Sequence, residues 1–217
     1  MAQIFGPGMD LAARSVLIAL GLGAAAAIAF ACAMPASDYR TAQHETIAQP
    51  VPFSHQHHVA GLGLDCRYCH GAVERAANAG MPATETCMTC HSQIWTHAEM
   101  LAPVRASLAE HRPLRWKKVN RLPDYVYFDH SIHIAKGVGC ASCHGAVARM
   151  PLSRKEAPLS MSWCLDCHRD PAPNLRPRAA LFDTEWRRGD DTPSPADLMR
   201  AYHVRTAGLT DCSTCHR

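Results

Sequence analysis

The pattern Cys-x-x-Cys-His occurs five times in this chain of 217 residues, and it constrains the fold more than any other feature. We number the copies motif 1 to motif 5 in chain order: Cys66, Cys69 and His70; Cys87, Cys90 and His91; Cys140, Cys143 and His144; Cys164, Cys167 and His168; Cys212, Cys215 and His216. Aromatic residues make up only 6% of the chain, so the side chains that normally fill an interior are scarce. Much of the core must therefore come from a bound group.

The spacing within each motif predicts covalent attachment of haem c. Two thiols this close in sequence can add to the two vinyl groups of one porphyrin, and the following histidine then lies under the iron as an axial ligand. The sequence therefore predicts five c-type haems, with the ten motif cysteines as attachment residues and the five motif histidines as proximal iron ligands.

Three other readings of the cysteines fit less well. A zinc site would use Cys-x-x-Cys pairs in twos and has no need for a histidine after each pair. A thioredoxin-like redox pair would occur once, beside a strand-helix pattern that this chain lacks. Structural disulfides would rarely all fall at one spacing, whereas ten of the eleven cysteines do so here.

The histidines outside the motifs supply candidates for the distal iron ligands. His55 and His58 precede motif 1, and His130 and His133 precede motif 3, each pair at positions i and i+3. Two histidines on one helical turn point in somewhat different directions, so one can reach the local haem and the other a neighbour. His203 precedes motif 5 and is the expected fifth distal ligand. Met150, Met161 or another histidine stays open as an alternative, while four histidines are expected not to be ligands: His44, His57, His97 and His111.

An internal repeat sets the predicted organisation. The segments Phe53-Ser54-His55-Gln56-His57-His58 and Phe128-Asp129-His130-Ser131-Ile132-His133 each lead into one motif, with a second motif about twenty residues later. We expect a mainly α-helical protein with extensive loops, comprising a transmembrane anchor (1–36), a tether (37–52) and a haem domain (53–217). The haem pairs would occupy 53–100 and 125–170, and the fifth haem 194–217.

Local signals predict a few further elements. Ser194 resembles a helix N-cap, followed by proline and an acid, for a helix ending near His203. Residues 96–110 are helix-prone but are expected to be interrupted at Pro103.

An uncharged stretch of twenty residues, from Ser15 to Met34, precedes all of these features. At the rise of an α-helix it is about 30 Å long, which matches the hydrocarbon thickness of a bilayer. A cleaved signal peptide is the alternative, but the apolar run is longer than the usual signal core. Arg14 before the span favours a cytoplasmic N-terminus and a haem domain on the outer, periplasmic face of a bacterial membrane. Cys32, outside every motif, is either an acylation site or an apolar filler of this helix.

The net charge does not indicate a nucleic-acid partner. The polypeptide carries a formal charge of +3, and the propionates of five haems would bring the total to about −7. We therefore expect no nucleic-acid partner. The supply of histidines separately predicts that every iron is six-coordinate, so we also expect no directly bound small-molecule substrate.

Two sets of residues resemble known families. The Phe-x-His-x-x-His segments ahead of the motifs resemble small multihaem cytochromes of the c3 and c7 type. The stretch from Trp116 through Arg121-Leu122-Pro123-Asp124-Tyr125-Val126-Tyr127-Phe128 resembles the pentahaem cytochrome subunit of bacterial alternative complex III. So do Gly137-Val138-Gly139-Cys140 and Met161-Ser162-Trp163-Cys164-Leu165-Asp166-Cys167-His168-Arg169. Asn120 departs from that family, whose members often carry His there.

The second resemblance implies a subunit that relays electrons within a membrane quinol:acceptor oxidoreductase, with an iron–sulfur subunit and a monohaem cytochrome as partners. Two other functions are considered beside it. One is a free-standing, membrane-anchored quinol dehydrogenase, and the other is a multihaem reductase with one open haem.

Overall fold

The computed structural model describes Gly6 and residues 8–216, apart from the side chain of Ala36. The chain divides into two compact units, the first ending at Gln43 and the second beginning at His44. This boundary lies inside the stretch that the sequence assigns to a tether.

The first unit is dominated by one long apolar helix, α1 (Met9–Ala33), in which no residue is buried. It begins six residues earlier than the uncharged stretch, because Asp10 and Arg14 form an i, i+4 ion pair at 2.8 Å on its first turns. A 3-10 turn (Met34–Ala36) and α2 (Asp38–Thr41) follow. By length and composition the helical run Met9–Thr41 can cross a membrane.

The second unit is built from short helices joined by loops. They are a π-helical turn (Gln56–Gly61), α3 (Cys66–Cys69), α4 (Thr84–His91), a 3-10 turn (Glu99–Leu101), α5 (Ala102–Ala109), α6 (His130–Ala135), α7 (Ala141–His144), a 3-10 turn (Val147–Arg149), α8 (Met161–Arg169), 3-10 turns at Ala172–Asn174 and Arg178–Ala180, α9 (Pro195–Ala201) and α10 (Cys212–Cys215). Across the described residues there is no strand, only three isolated bridges. The predicted mainly helical class is therefore confirmed.

Of two local predictions, the N-cap at Ser194 is confirmed and the interruption at Pro103 is wrong. Ser194 is the N-cap of α9 and forms a capping box with Asp197, as the sequence suggests. Pro103 does not interrupt a helix. It lies in the first turn of α5, where its missing N–H removes no intrahelical bond.

The buried hydrophobic residues of the second unit include two small clusters and, outside them, Leu175 and Leu198. Val51, Leu101 and Val104 form one, against which Cys87 and Trp116 pack. The other comprises Val73, Ile134 and Leu181, with Cys140 and Phe182 packed against it. In both clusters a motif cysteine borders the apolar side chains, so the protein core and the motifs are contiguous.

Candidate functional site: five cysteine and histidine motifs

Each motif lies on one short helical turn. The cysteines of motifs 1 and 5 begin and end α3 and α10, those of motifs 2 and 4 lie within α4 and α8, and motif 3 spans the start of α7. Residues at i and i+3 share one face of a helix, so the two thiols of each motif point to the same side. This is the arrangement that bonding to one edge of a porphyrin requires.

Several motif cysteines are partly buried thiols, whereas Cys90 and Cys212 are exposed. Burial raises the pKa of Cys140 to about 11 and that of Cys143 to about 12, with smaller contributions from neighbouring thiols. Such groups are poor thiolate metal ligands at neutral pH. Within the part of the chain that the structure describes, no three His, Cys, Asp or Glu side chains converge as a zinc site requires.

Three pairs of imidazole rings lie at one characteristic separation, with interplanar angles of 64° for His58 and His91, 8° for His130 and His144, and 25° for His133 and His168. The ring centroids are 6.2 Å apart for His58 and His91, 6.4 Å for His130 and His144, and 6.2 Å for His133 and His168. A metal–nitrogen bond to histidine is about 2.0 Å long, so imidazoles on opposite sides of one iron have centroids about 6 Å apart. The three pairs fit a haem iron between them, and each pairs a candidate distal histidine with a motif histidine.

Hydrogen bonds orient these rings for metal binding. Nδ1 of His58 donates to the Ser54 carbonyl at 2.8 Å, and Nδ1 of His133 donates to the Asp129 carbonyl at 2.7 Å. The same bond is made by His70 to Gly80 (2.7 Å), His130 to Ala77 (2.8 Å) and His168 to Leu209 (2.8 Å). A carbonyl only accepts, so Nδ1 carries the proton and Nε2 keeps a lone pair for a metal.

Phe53 and Phe128 hold the two histidine pairs in matching geometry. Phe53 stacks on His58 at 4.4 Å and meets His55 edge-on at 5.0 Å. Phe128 stacks on His133 at 4.3 Å and meets His130 edge-on at 4.9 Å. The repeat seen in the sequence is thus a repeat of side-chain packing. The recurrence of Phe at the same offset was the signal for a role that sequence analysis left unassigned.

His55 is the most perturbed of the candidate distal histidines. Burial, followed by the charges of His70, His58 and His144, lowers its pKa to about 4. Its Nδ1 lies 3.0 Å from the hydroxyl of Ser153. His55 is therefore a neutral imidazole at neutral pH, close to the histidines of motifs 1 and 3.

His144 is held by a side chain. Its Nδ1 lies 3.0 Å from Nδ2 of Asn120, and Oδ1 of the same amide is buried without a hydrogen-bond partner. Burial, followed by the charges of His130 and His70, lowers the pKa of His144 to about 4. Sequence patterns assigned no hydrogen-bonding role to either Asn120 or Ser153.

The fifth site differs from the others. The ring of His216 stacks on Tyr125 at 5.8 Å, and its Nδ1 is 3.4 Å from the Tyr125 carbonyl. His203 is exposed, with a left-handed φ of 50°, and shows no ring contact with His216 in the described region. Met150 is 3% exposed and Met161 is 62% exposed. The structure thus does not bring His203 to motif 5, and that assignment stays a prediction.

Contacts between motifs put them in a definite spatial order. The hydroxyl of Tyr68 in motif 1 lies 2.9 Å from that of Thr89 in motif 2. Motif 1 also approaches motif 3, because Cys66 Sγ is 3.7 Å from the Phe182 carbonyl while the Cys140 N–H donates to the adjacent Leu181 carbonyl at 3.1 Å.

The order continues through α6 and the C-terminal segment. His130 and His133 on α6 face the histidines of motifs 3 and 4. His168 of motif 4 bonds to Leu209, three residues before motif 5. The neighbours therefore run motif 2, motif 1, motif 3, motif 4, motif 5, an order that differs from the order along the chain.

Comparison with known proteins gives two matches. The sequence profile of the family described as "Cytochrome c7 and related cytochrome c" matches residues 51–102 and 126–217. The chain is also 28% identical over 170 residues to a protein of Nitratidesulfovibrio vulgaris (strain Hildenborough) named "Menaquinone reductase, multiheme cytochrome c subunit". That alignment covers 77% of this chain and 67% of the relative.

Proposed function

The chain belongs to the family of cytochrome c7 and related cytochromes c and is a multihaem electron-transfer protein, and from this premise we propose that it carries five haems as a subunit of a membrane quinol:acceptor oxidoreductase. The observation that supports the proposal most strongly is the set of three facing imidazole pairs at 6.2–6.4 Å. An iron with an imidazole on both sides has no free position for substrate, and it exchanges electrons with little ligand rearrangement.

The ligand set that we propose uses the residues of the motifs and of the two repeats. The ten motif cysteines hold the porphyrins, and the five motif histidines are the proximal ligands. The ring distances support His58 as the distal ligand of motif 2, His130 as that of motif 3 and His133 as that of motif 4. His55 is then left for motif 1, whose His70 contributes to its lowered pKa. His203 remains the proposed distal ligand of motif 5. Haem c, when bound at these positions, supplies one-electron chemistry.

We propose that the attachment sites form one linear relay in the order motif 2, motif 1, motif 3, motif 4, motif 5. The contacts that support this order are the Tyr68–Thr89 bond, the shared Leu181–Phe182 segment, α6 and the His168–Leu209 bond. In such a relay motifs 2 and 5 lie at the two ends. Donor and acceptor would therefore meet the protein at opposite ends of the haem domain.

We further propose membership of a complex of the alternative complex III type. The relative's name describes a cytochrome subunit of a menaquinone reductase, which supports a quinone-linked membrane complex. Residues 1–36 would be the anchor, 37–52 the tether and 53–217 the haem domain on the periplasmic face. An iron–sulfur subunit and a monohaem cytochrome would be the partners.

One observation favours a second candidate, a multihaem reductase with one open haem. In the described residues the ring partner of His216 is Tyr125, whereas three other motif histidines each face a histidine. Motif 5 therefore offers one place for an open position. A free-standing quinol dehydrogenase would instead require quinol to reach the haem unit without other membrane subunits.

The test combines haem counting with one matched pair of variants. Pyridine haemochrome analysis and intact mass should give five haems per chain, and electron paramagnetic resonance should show low-spin signals for every bis-histidine site. His58→Ala should convert one haem to high spin, because the imidazole that faces His91 is lost. The neighbouring exposed His57 is the control, and His57→Ala should leave all haems low-spin. Fewer than five haems, or a high-spin fraction in the native protein, would contradict the proposal.

A further inference from the structure

We propose that Asn120 is a positioning residue for His144, which presents its side-chain oxygen to the Nδ1–H of that imidazole and so lowers the reduction potential of the haem at motif 3. The inference rests on the proposed function in one respect, namely that His144 binds iron through Nε2. It assigns to Asn120 a role in setting the potential of one haem among five.

Iron binding through Nε2 fixes the tautomer of His144. A neutral imidazole has a single N–H, so a ring that binds iron through Nε2 carries its proton on Nδ1 and must donate there. An amide nitrogen also only donates. The 3.0 Å contact between Nδ1 of His144 and the amide of Asn120 is therefore a hydrogen bond in the iron-bound state only when the amide oxygen occupies it.

The amide oxygen of Asn120 is buried and can accept a hydrogen bond. Oδ1 of Asn120 has no hydrogen-bond partner among the described residues, and leaving a buried acceptor unpaired is unfavourable. A rotation of the amide by half a turn exchanges oxygen and nitrogen without moving other atoms. It pairs the oxygen with the Nδ1–H of His144.

The hydrogen-bond partner of His144 differs in kind from the partners of five other candidate ligand histidines. His58, His70, His130, His133 and His168 all donate to backbone carbonyls, which no substitution can change. His144 faces a side-chain amide instead. A hydrogen bond accepted from Nδ1–H makes the imidazole a stronger donor to iron and favours the ferric state. The strength of this bond is therefore open to adjustment at motif 3, which lies in the middle of the proposed relay.

Two nearly isosteric substitutions give opposite expectations. Asn120→Asp replaces the amide with a carboxylate, a stronger acceptor, and should lower the midpoint potential of one haem. Asn120→Leu removes the acceptor and should raise it. We expect each to change the ratio of oxidised to reduced haem at fixed potential by about tenfold, which is 59 mV for one electron. The exposed amide Gln93 provides a control, and Gln93→Leu should leave all potentials in place.

The readouts are a spectroelectrochemical titration of the holoprotein, resolved into its separate haems, and the electron paramagnetic resonance g values of the shifted haem. A purely structural role for Asn120 would not give shifts of opposite sign from Asp and Leu. Should the Leu variant lose a haem, the Asp variant decides alone by the direction of its shift. Unchanged potentials in the Asp variant, or shifts of one sign in both variants, would overturn the inference. A haem count below five in the native protein would instead refute the proposed function.

Discussion

Gly137 is the position where one added methyl group should cost the most. Its φ of +85° lies in the left-handed region, and an added Cβ would lie 2.2 Å from Cε2 and 2.4 Å from Cδ2 of Tyr202. That ring is fixed, because its hydroxyl donates to the Arg176 carbonyl at 2.9 Å and the Arg178 guanidinium lies 5.1 Å above it. Gly137→Ala must therefore strain the backbone and also displace the ring.

Gly63 supplies a matched comparison. Its φ of +70° is similar, but an added Cβ would meet nothing within 4 Å. Gly63→Ala should cost only the left-handed strain, about 1–2 kcal/mol. Gly137→Ala should cost that strain and in addition about 1–3 kcal/mol for overpacking, about 2–5 kcal/mol in all. For a chain of this size each kcal/mol lowers Tm by about 2–4 °C.

Guanidinium unfolding of the holoprotein, followed by circular dichroism in the Soret region, measures both losses. The midpoint should fall further for Gly137→Ala than for Gly63→Ala, while the m-value stays unchanged. Adding Tyr202→Ala should cost less in the Gly137→Ala background than in the native chain, because the clash is then already removed. Equal losses for the two glycine variants, or an additive double variant, would show that contact with Tyr202 does not set the requirement for glycine.

Three further predictions concern single side chains. Ser194→Ala removes the N-cap and half of the capping box of α9, and should lower the free energy of unfolding by about 1 kcal/mol in the same denaturant assay. Ser194→Asp keeps an N-cap acceptor and should retain most of that stability. Leu175 has 0% exposure, so Leu175→Ala should cost about 2–5 kcal/mol, and a loss below 1 kcal/mol would contradict its place in the core. His203→Ala tests the fifth distal ligand, and one haem should become high-spin in electron paramagnetic resonance. The same change at the exposed His111 is the control and should have no effect. An unchanged spectrum for His203→Ala would show that another residue is the ligand.

Part of the candidate site could be predicted from the sequence because it depends on spacing along the chain. Two cysteines three residues apart lie on one face of any helical turn, so each motif presents both thiols together whatever the fold around it. The Phe-x-His-x-x-His segments are local in the same way. The long apolar helix and the N-cap at Ser194 likewise depend on neighbours in sequence alone.

The remaining part depends on residues that are distant in sequence. Which histidine faces which motif is decided by packing: His58 turns towards motif 2 rather than to the nearer motif 1, and α6 serves both motif 3 and motif 4. The approach of motif 1 to motif 3 depends on the segment around Leu181, far along the chain from both. The Asn120 contact with His144 joins a loop residue to the last residue of α7.

The sequence by itself thus predicts haem attachment at the motifs, since bonding to one porphyrin edge needs only local geometry. Tertiary structure decides the order of the motifs in space, the pairing of imidazoles and the side chains that hold them. The physical reason is that these depend on loop closure and on packing between elements, where many arrangements satisfy the same local rules and only the folded chain selects one.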